Sequence, residues 1–163
     1  MAEYNLGFSQ KLIEAARMVA EDDLDSEDAA RTVLYLSLLS CEITLKSLLE
    51  HAGFSVKEIS KCSHDFNKLL LCIGKCRIKK EIGNGVYRWV PATRIRSIPV
   101  DPVYGNATIG TLLEAGDCGA SVYPNQIRYG DKVRHFPPKL MLSAAENLLH
   151  HAKGYWITIR ICQ

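Results

Sequence analysis

Apolar residues recur along the first part of the chain at helical spacing. Phe8, Leu12, Ala15, Ala16 and Val19 share one face of a helix expected over 6–21. A polar break, Asp22 to Ser26, follows. Ser26 or Asp25 can cap a second helix, predicted over 27–52, and Glu27 and Asp28 suit its positive end. The stretch from Val33 to Cys41 is apolar almost all round. A helix of this kind sits centrally in a bundle or is shared with a second subunit. Gly53 supplies the stop, because glycine adopts the left-handed cap conformation without strain. Within this helix Glu42, Lys46 and Glu50 are spaced four apart, which taken alone describes an exposed ion-pair ladder. If buried, the pair would instead set the packing of the bundle or line a cleft, because buried charge is costly without a partner.

Ser55 and Glu58 form a capping-box pattern opening a short helix to about Lys61. Ser63 is expected to cap a further helix over 64–79, with Phe66, Leu69, Leu70, Ile73 and Cys76 inward. The period then shortens. Ile82, the turn Gly83-Asn84-Gly85 and the run Val86 to Val90 predict a β-hairpin, and 95–100 adds a possible strand. Residues 101–136 are rich in turn formers, with a short helix possible near 107–115. Pro137 and Pro138 open a last helix over 138–153 that turns Leu140, Met141, Ala144, Ala145 and Leu148 inward and stops at Gly154. The β-branched and aromatic tail from Tyr155 to Cys162 predicts a C-terminal strand beside the hairpin. The expectation is a mainly α, single domain over 1–163, with a β-rich insertion at about 80–136.

Composition changes this picture little. The chain has 163 residues, 47% apolar and 23% charged, which excludes wholesale disorder. Its start has no basic region followed by an apolar core, and no apolar run approaches a membrane span, so a cytoplasmic setting without membrane contact is expected. Six cysteines are then expected to be reduced. Cys72 and Cys76 would share a helix face, but no second Cys/His pair of zinc type follows, so neither metal nor cofactor is expected.

Charge distribution says more than the net charge of +2. The first thirty residues are strongly acidic, whereas Lys75, Arg77, Lys79, Lys80, Arg88, Arg94 and Arg96 crowd the hairpin region with Glu81 as the sole acid over 75–96. Tyr87 and Trp89 interleave with these cations. Such a pattern can hold nucleic acid by phosphate attraction and base stacking, or can be a solvated hairpin whose aromatics cover the core.

The order of motifs resembles the HEPN (higher eukaryotes and prokaryotes nucleotide-binding) superfamily. The residues concerned are Ala30 to Tyr35, the run from Cys41 through Glu42 and Lys46 to Gly53, and Ser63-His64-Asp65-Phe66. Gln126-Ile127-Arg128-Tyr129 before the last helix resembles the family's leucine-arginine-tyrosine segment. The likeness covers about 8–79 and 123–153. It implies a HEPN-like up-and-down helical bundle, usually a homodimer, in bacterial defence or toxin–antitoxin-type systems. Many members are similar to metal-independent endoribonucleases that bring two Arg-x4–6-His motifs into one dimer cleft; others are binding modules.

Arg128 and His135 have that spacing and are the catalytic candidates. A neutral imidazole can take the proton of a ribose 2′-hydroxyl, and a guanidinium grips phosphate oxygens. Against this, Tyr129 and Gly130-Asp131 follow the arginine and suggest a turn, and His135 precedes Phe136-Pro137-Pro138. Arg128 could equally pair with an acid of the bundle such as Glu42. His64 and Asp65 are explained by helix capping, and His150 and His151 by a helix end. The candidate binding residues are Glu42, Lys46, Arg88, Arg94 and Arg96. Three functions stay open: a dimeric module binding a nucleotide, RNA or protein; an endoribonuclease; and an antitoxin-like partner protein whose acidic first helix masks a basic surface. No glycine loop of phosphate-binding type is present, since no Gly-Lys-Ser/Thr opens a helix after Gly85.

Overall fold

The computed structural model describes residues 2–22, 24–129 and 136–162. Three long helices, α1 (Leu6–Asp22), α2 (Glu27–Ala52) and α7 (Pro138–Tyr155), form the core. Two pairs of contacts orient α1 and α7: Arg17 meets Glu146, and Gln10 meets Lys153, so the helices run antiparallel. The same logic sets α1 against α2. Ser9 Oγ lies 2.7 Å from Ser40 Oγ and 2.6 Å from Thr44 Oγ1, while Glu50 receives the amides of Glu3 and Tyr4. Consequently α2 and α7 point the same way, and the segments between them carry the chain back.

The second helix has the expected bounds for the expected reasons. Ser26 accepts a hydrogen bond from the Ala29 amide, Glu27 and Asp28 sit in the first turn, and Gly53 ends the helix at φ 116°. It is also long and apolar enough to cross a membrane by length and composition, but 72% of that window is buried inside the bundle. Val33, Leu34, Leu38, Cys41, Leu45, Leu48 and Leu49 are buried within the one chain, against α1, α7 and two short helices, α4 (Phe66–Ile73) and α6 (Pro124–Tyr129). The all-round apolar pattern thus has an internal cause, and α2 needs no second subunit to shelter it.

The connecting segments depart furthest from expectation. After α3 (Val56–Ser60), α4 spans Phe66–Ile73, not 64–79. Asp65, not Ser63, is its cap and accepts from the Lys68 amide at 3.1 Å, while Ser63 takes φ 51° in the turn before it. Cys76 opens strand β1 (Cys76–Gly83), paired antiparallel with β2 (Val86–Pro91), so Cys72 and Cys76 share no helix face. The reason is alternation: Cys76 and Ile78 are buried while Arg77 and Lys79 are exposed, a period of two that begins before the turn. Asn84 and Gly85 both take positive φ in that turn, as tight hairpins demand.

Between Pro91 and the last helix, strand structure among the described residues is confined to an isolated bridge between Pro99 and Thr108. Residues Ala92–Ser97 form a 3-10 helix that takes up the first half of the strand expected over 95–100. The expected β-rich region is otherwise made of helical turns: Pro102–Tyr104 and Ala115–Cys118 are 3-10, and α5 (Ile109–Leu113) and α6 (Pro124–Tyr129) are short α-helices. Arg31 of α2 pins α6 by donating to the Ile127 carbonyl at 2.7 Å. The last helix passes Gly154, and the C-terminal strand shrinks to β3 (Arg160–Ile161), which pairs with β1 at the sheet edge.

His151 near the end of α7 yields a pH prediction. Burial holds its imidazole below the ordinary range, with His150 adding to the effect. The unfolded chain therefore takes up that proton more readily than the folded one. The stability contributed is complete above the unfolded value of about 6.5 and is lost as pH falls through the lower folded value. A urea midpoint should fall between about pH 7 and about pH 5, and fall less in His151→Gln. A parallel fall in both proteins would remove His151 as the cause.

Candidate functional site

Two features stand out, one internal and one on the surface. The internal one joins three residues of the motif pattern. Glu42 lies in mid-α2 with its side chain 2% exposed, and Lys46 one turn later reaches its Oε1 at 2.7 Å with 8% exposure. His64, in the turn before α4, brings Nδ1 to 2.9 Å from Glu42 Oε2 and 3.1 Å from Oε1. The expected exposed ladder is therefore a buried ion pair extended by an imidazole. Since a carboxylate only accepts, Nδ1 is the donor in this contact, on a side chain 52% exposed. Lys46 also lies 5.4 Å from the centre of the Tyr4 ring. This cluster ties the segment before α1 and the turn before α4 to α2. Glu50, the third member of the stripe, is turned to the N-terminal amides instead.

The surface feature is the three-stranded sheet, ordered β2-β1-β3. Its register opposes Lys79 to Trp89, Glu81 to Tyr87, and Arg77 to Arg160. Side chains alternate along a strand, so these residues share the face opposite buried Ile78 and Val90. Trp89 is 48% exposed and Tyr87 55%, with Lys79 Nζ 5.4 Å from the centre of the Tyr87 ring. The aromatics therefore do not cover the core, as the solvated-hairpin alternative required. Glu81 accepts from the Gly85 amide at 3.0 Å, which ties the acid of this face to the turn.

The other expected cations divide. Lys80 and Arg88 are directly paired on the reverse of the hairpin and, with Arg94 and the acid Glu81, line a groove of about 530 Å³ beside Trp89 and Pro91. None of the three cations has an acidic ion-pair partner among the described residues. Arg96 is not part of the groove: its Nε meets Glu114 Oε1 at 2.8 Å. Glu42 and Lys46 belong to the internal cluster, not to this surface. Arg128 is exposed at the end of α6 and stacks 4.3 Å from the Tyr129 ring centre, so it does not neutralise Glu42. His135 lies outside the described residues.

Sequence inspection missed Arg160. Its signal was present in the alternation Ile159-Arg160-Ile161, which places one cation on the open face of an edge strand. The cysteines are free thiols; Cys62 and Cys72 sulfurs lie 3.7 Å apart, and burial, reinforced by Cys72, pushes the Cys62 thiol up to about 11.

The fold and these sites define a mainly helical protein with a small antiparallel sheet whose open face is cationic and aromatic. No family model matches the chain, and no curated protein or solved structure is significantly similar to it.

Proposed function

We propose that the chain is a HEPN-like module that binds single-stranded RNA on the open face of its sheet, in a cytoplasmic setting. One observation carries the reading: Trp89 and Tyr87 stand half-exposed among Arg77, Lys79 and Arg160 on a single sheet face. Unpaired bases stack on aromatic rings, whereas the stacked bases of a duplex are out of reach of a sheet surface. Cations beside the rings attract the connecting phosphates, and the groove with Lys80, Arg88 and Arg94 continues the positive surface behind the hairpin. The free thiols fit a reducing compartment. The motif order, with Glu42, Lys46 and His64 gathered into one cluster, supports the HEPN resemblance.

The test is fluorescence anisotropy with labelled single-stranded RNA at several salt concentrations. Affinity should fall steeply with salt, and Arg88→Gln or Arg94→Gln should each reduce the slope by about one counterion. Binding that is absent at low salt, or indifferent to both substitutions and to salt, would refute the reading.

A further inference from the structure

Arg77 and Arg160 occupy directly paired positions on the neighbouring strands β1 and β3. Like charges opposed in this way destabilise a ladder. Neither guanidinium has a carboxylate within ion-pair distance among the described residues. Arg160 donates to the carbonyls of Ile159 and Ile157, which orients the group without neutralising it. The two arginines line a groove of about 580 Å³ together with Trp89, Ile161, Cys162 and the end of α2 at Ala52 and Gly53. At that helix end the Leu49 and Glu50 carbonyls accept from the Gly53 and Phe54 amides. The groove thus combines two cations with no ion-pair partner among the described residues, one half-exposed indole and an apolar wall.

We propose that this groove receives the terminal phosphate monoester of an RNA strand, with the adjoining base stacked on Trp89. The inference rests on reading the sheet face as an RNA platform and adds to it the recognition of a strand end. Charge is the first reason. A phosphate monoester carries about −1.5 to −2 at neutral pH and matches two guanidiniums, whereas an internal diester brings a single charge. Chemistry is the second: the planar guanidinium fork binds two phosphate oxygens at once. The third is position: β3 is the edge strand, and the groove runs from Trp89 past Arg77 and Arg160 to Ala52 and Gly53, so the end of a strand crossing Tyr87 and Trp89 meets the two arginines at the margin of the sheet. The Gly53 end of the groove is set in place against β3: a Cβ built there would lie 3.6 Å from Ile161 Cδ1.

The experiment compares one single-stranded RNA sequence in three forms: 5′-phosphorylated, 3′-phosphorylated, and hydroxyl at both ends. Binding is measured to the full chain and to Arg77→Gln and Arg160→Gln, both exposed positions whose substitution spares the core. Inorganic phosphate alone is titrated in parallel. A phosphate at one end should tighten binding about tenfold over the hydroxyl form, and each substitution should abolish that gain. The end that shows the gain identifies the strand polarity. Equal affinity for all three forms overturns the strand-end site while leaving the RNA platform standing. A gain that survives both substitutions also overturns it, because the phosphate then sits elsewhere. If no RNA form binds, the platform reading fails and the strand-end assignment falls with it, whatever inorganic phosphate does. Phosphate binding lost in Arg160→Gln would then define a plain anion site.

Discussion

Replacing Lys46 with methionine should destabilise the fold by about 3–5 kcal/mol, the range for removing one member of a buried ion pair. Methionine keeps the length and apolar stem of lysine, so the substitution opens little cavity. It removes the ammonium 2.7 Å from Glu42 and leaves a carboxylate that is 2% exposed. His64 then remains as its hydrogen-bond partner, through a ring that is half in water. The size of the loss follows from what is left behind rather than from the worth of the pair. The double variant Glu42→Leu with Lys46→Met removes both charges and should recover most of the loss, since apolar replacements of buried pairs are commonly neutral or stabilising. Urea unfolding of the three proteins measures this. A loss below about 1 kcal/mol in Lys46→Met would show that water reaches the pair, as at exposed ion pairs.

Trp89→Ala should weaken single-stranded RNA binding by about tenfold to about a hundredfold, from the 1–3 kcal/mol that stacking contributes per base. Stability should change by less than about 1 kcal/mol, because the ring is half-exposed and its core-facing neighbour Val90 stays in place. Tyr87→Ala should act in the same direction. The pairing of a large binding effect with a small stability effect distinguishes a stacking platform from a ring that merely finishes the sheet. A substitution that lowers stability and leaves affinity intact would reverse the assignment and return Trp89 to a packing role.

Much of the helical frame was legible locally. Ser26, Glu27 and Gly53 delimit α2, and Ser55 with Glu58 delimits the start of α3, because a cap is a contact between residues three positions apart. The turn at Asn84-Gly85 was legible for the same reason. The end of α4 was not. Residues 74–79 carry a helix-compatible pattern, and Cys76 satisfies either a period of 3.6 or a period of two. Pairing with β2, and with β3 more than eighty positions away, decides between them. The same holds for Ala92–Ser97, where Ala92 and Ile95 reach the core from a 3-10 helix as readily as from a strand.

The site divides in the same manner. The basic cluster and its aromatics were visible in composition, but composition grouped Arg96 with Arg88 and Arg94. Folding places Arg96 against Glu114 and leaves the other two beside Lys80. Arg160 was assigned to a tail strand with no chemistry until its pairing with Arg77 put two cations side by side.

By itself the order of residues determined where α2 starts and stops, where α3 starts, where the hairpin turns and which stretch is basic, since each depends on neighbours a few positions apart. Tertiary structure alone decided that Glu42 and Lys46 are buried, that His64 joins them, that α2 is sheltered by its own chain, and that Arg77, Trp89 and Arg160 share one face. Burial and juxtaposition depend on which distant segments pack together, and a stripe of charges four residues apart looks the same in the sequence whether water or another helix lies against it.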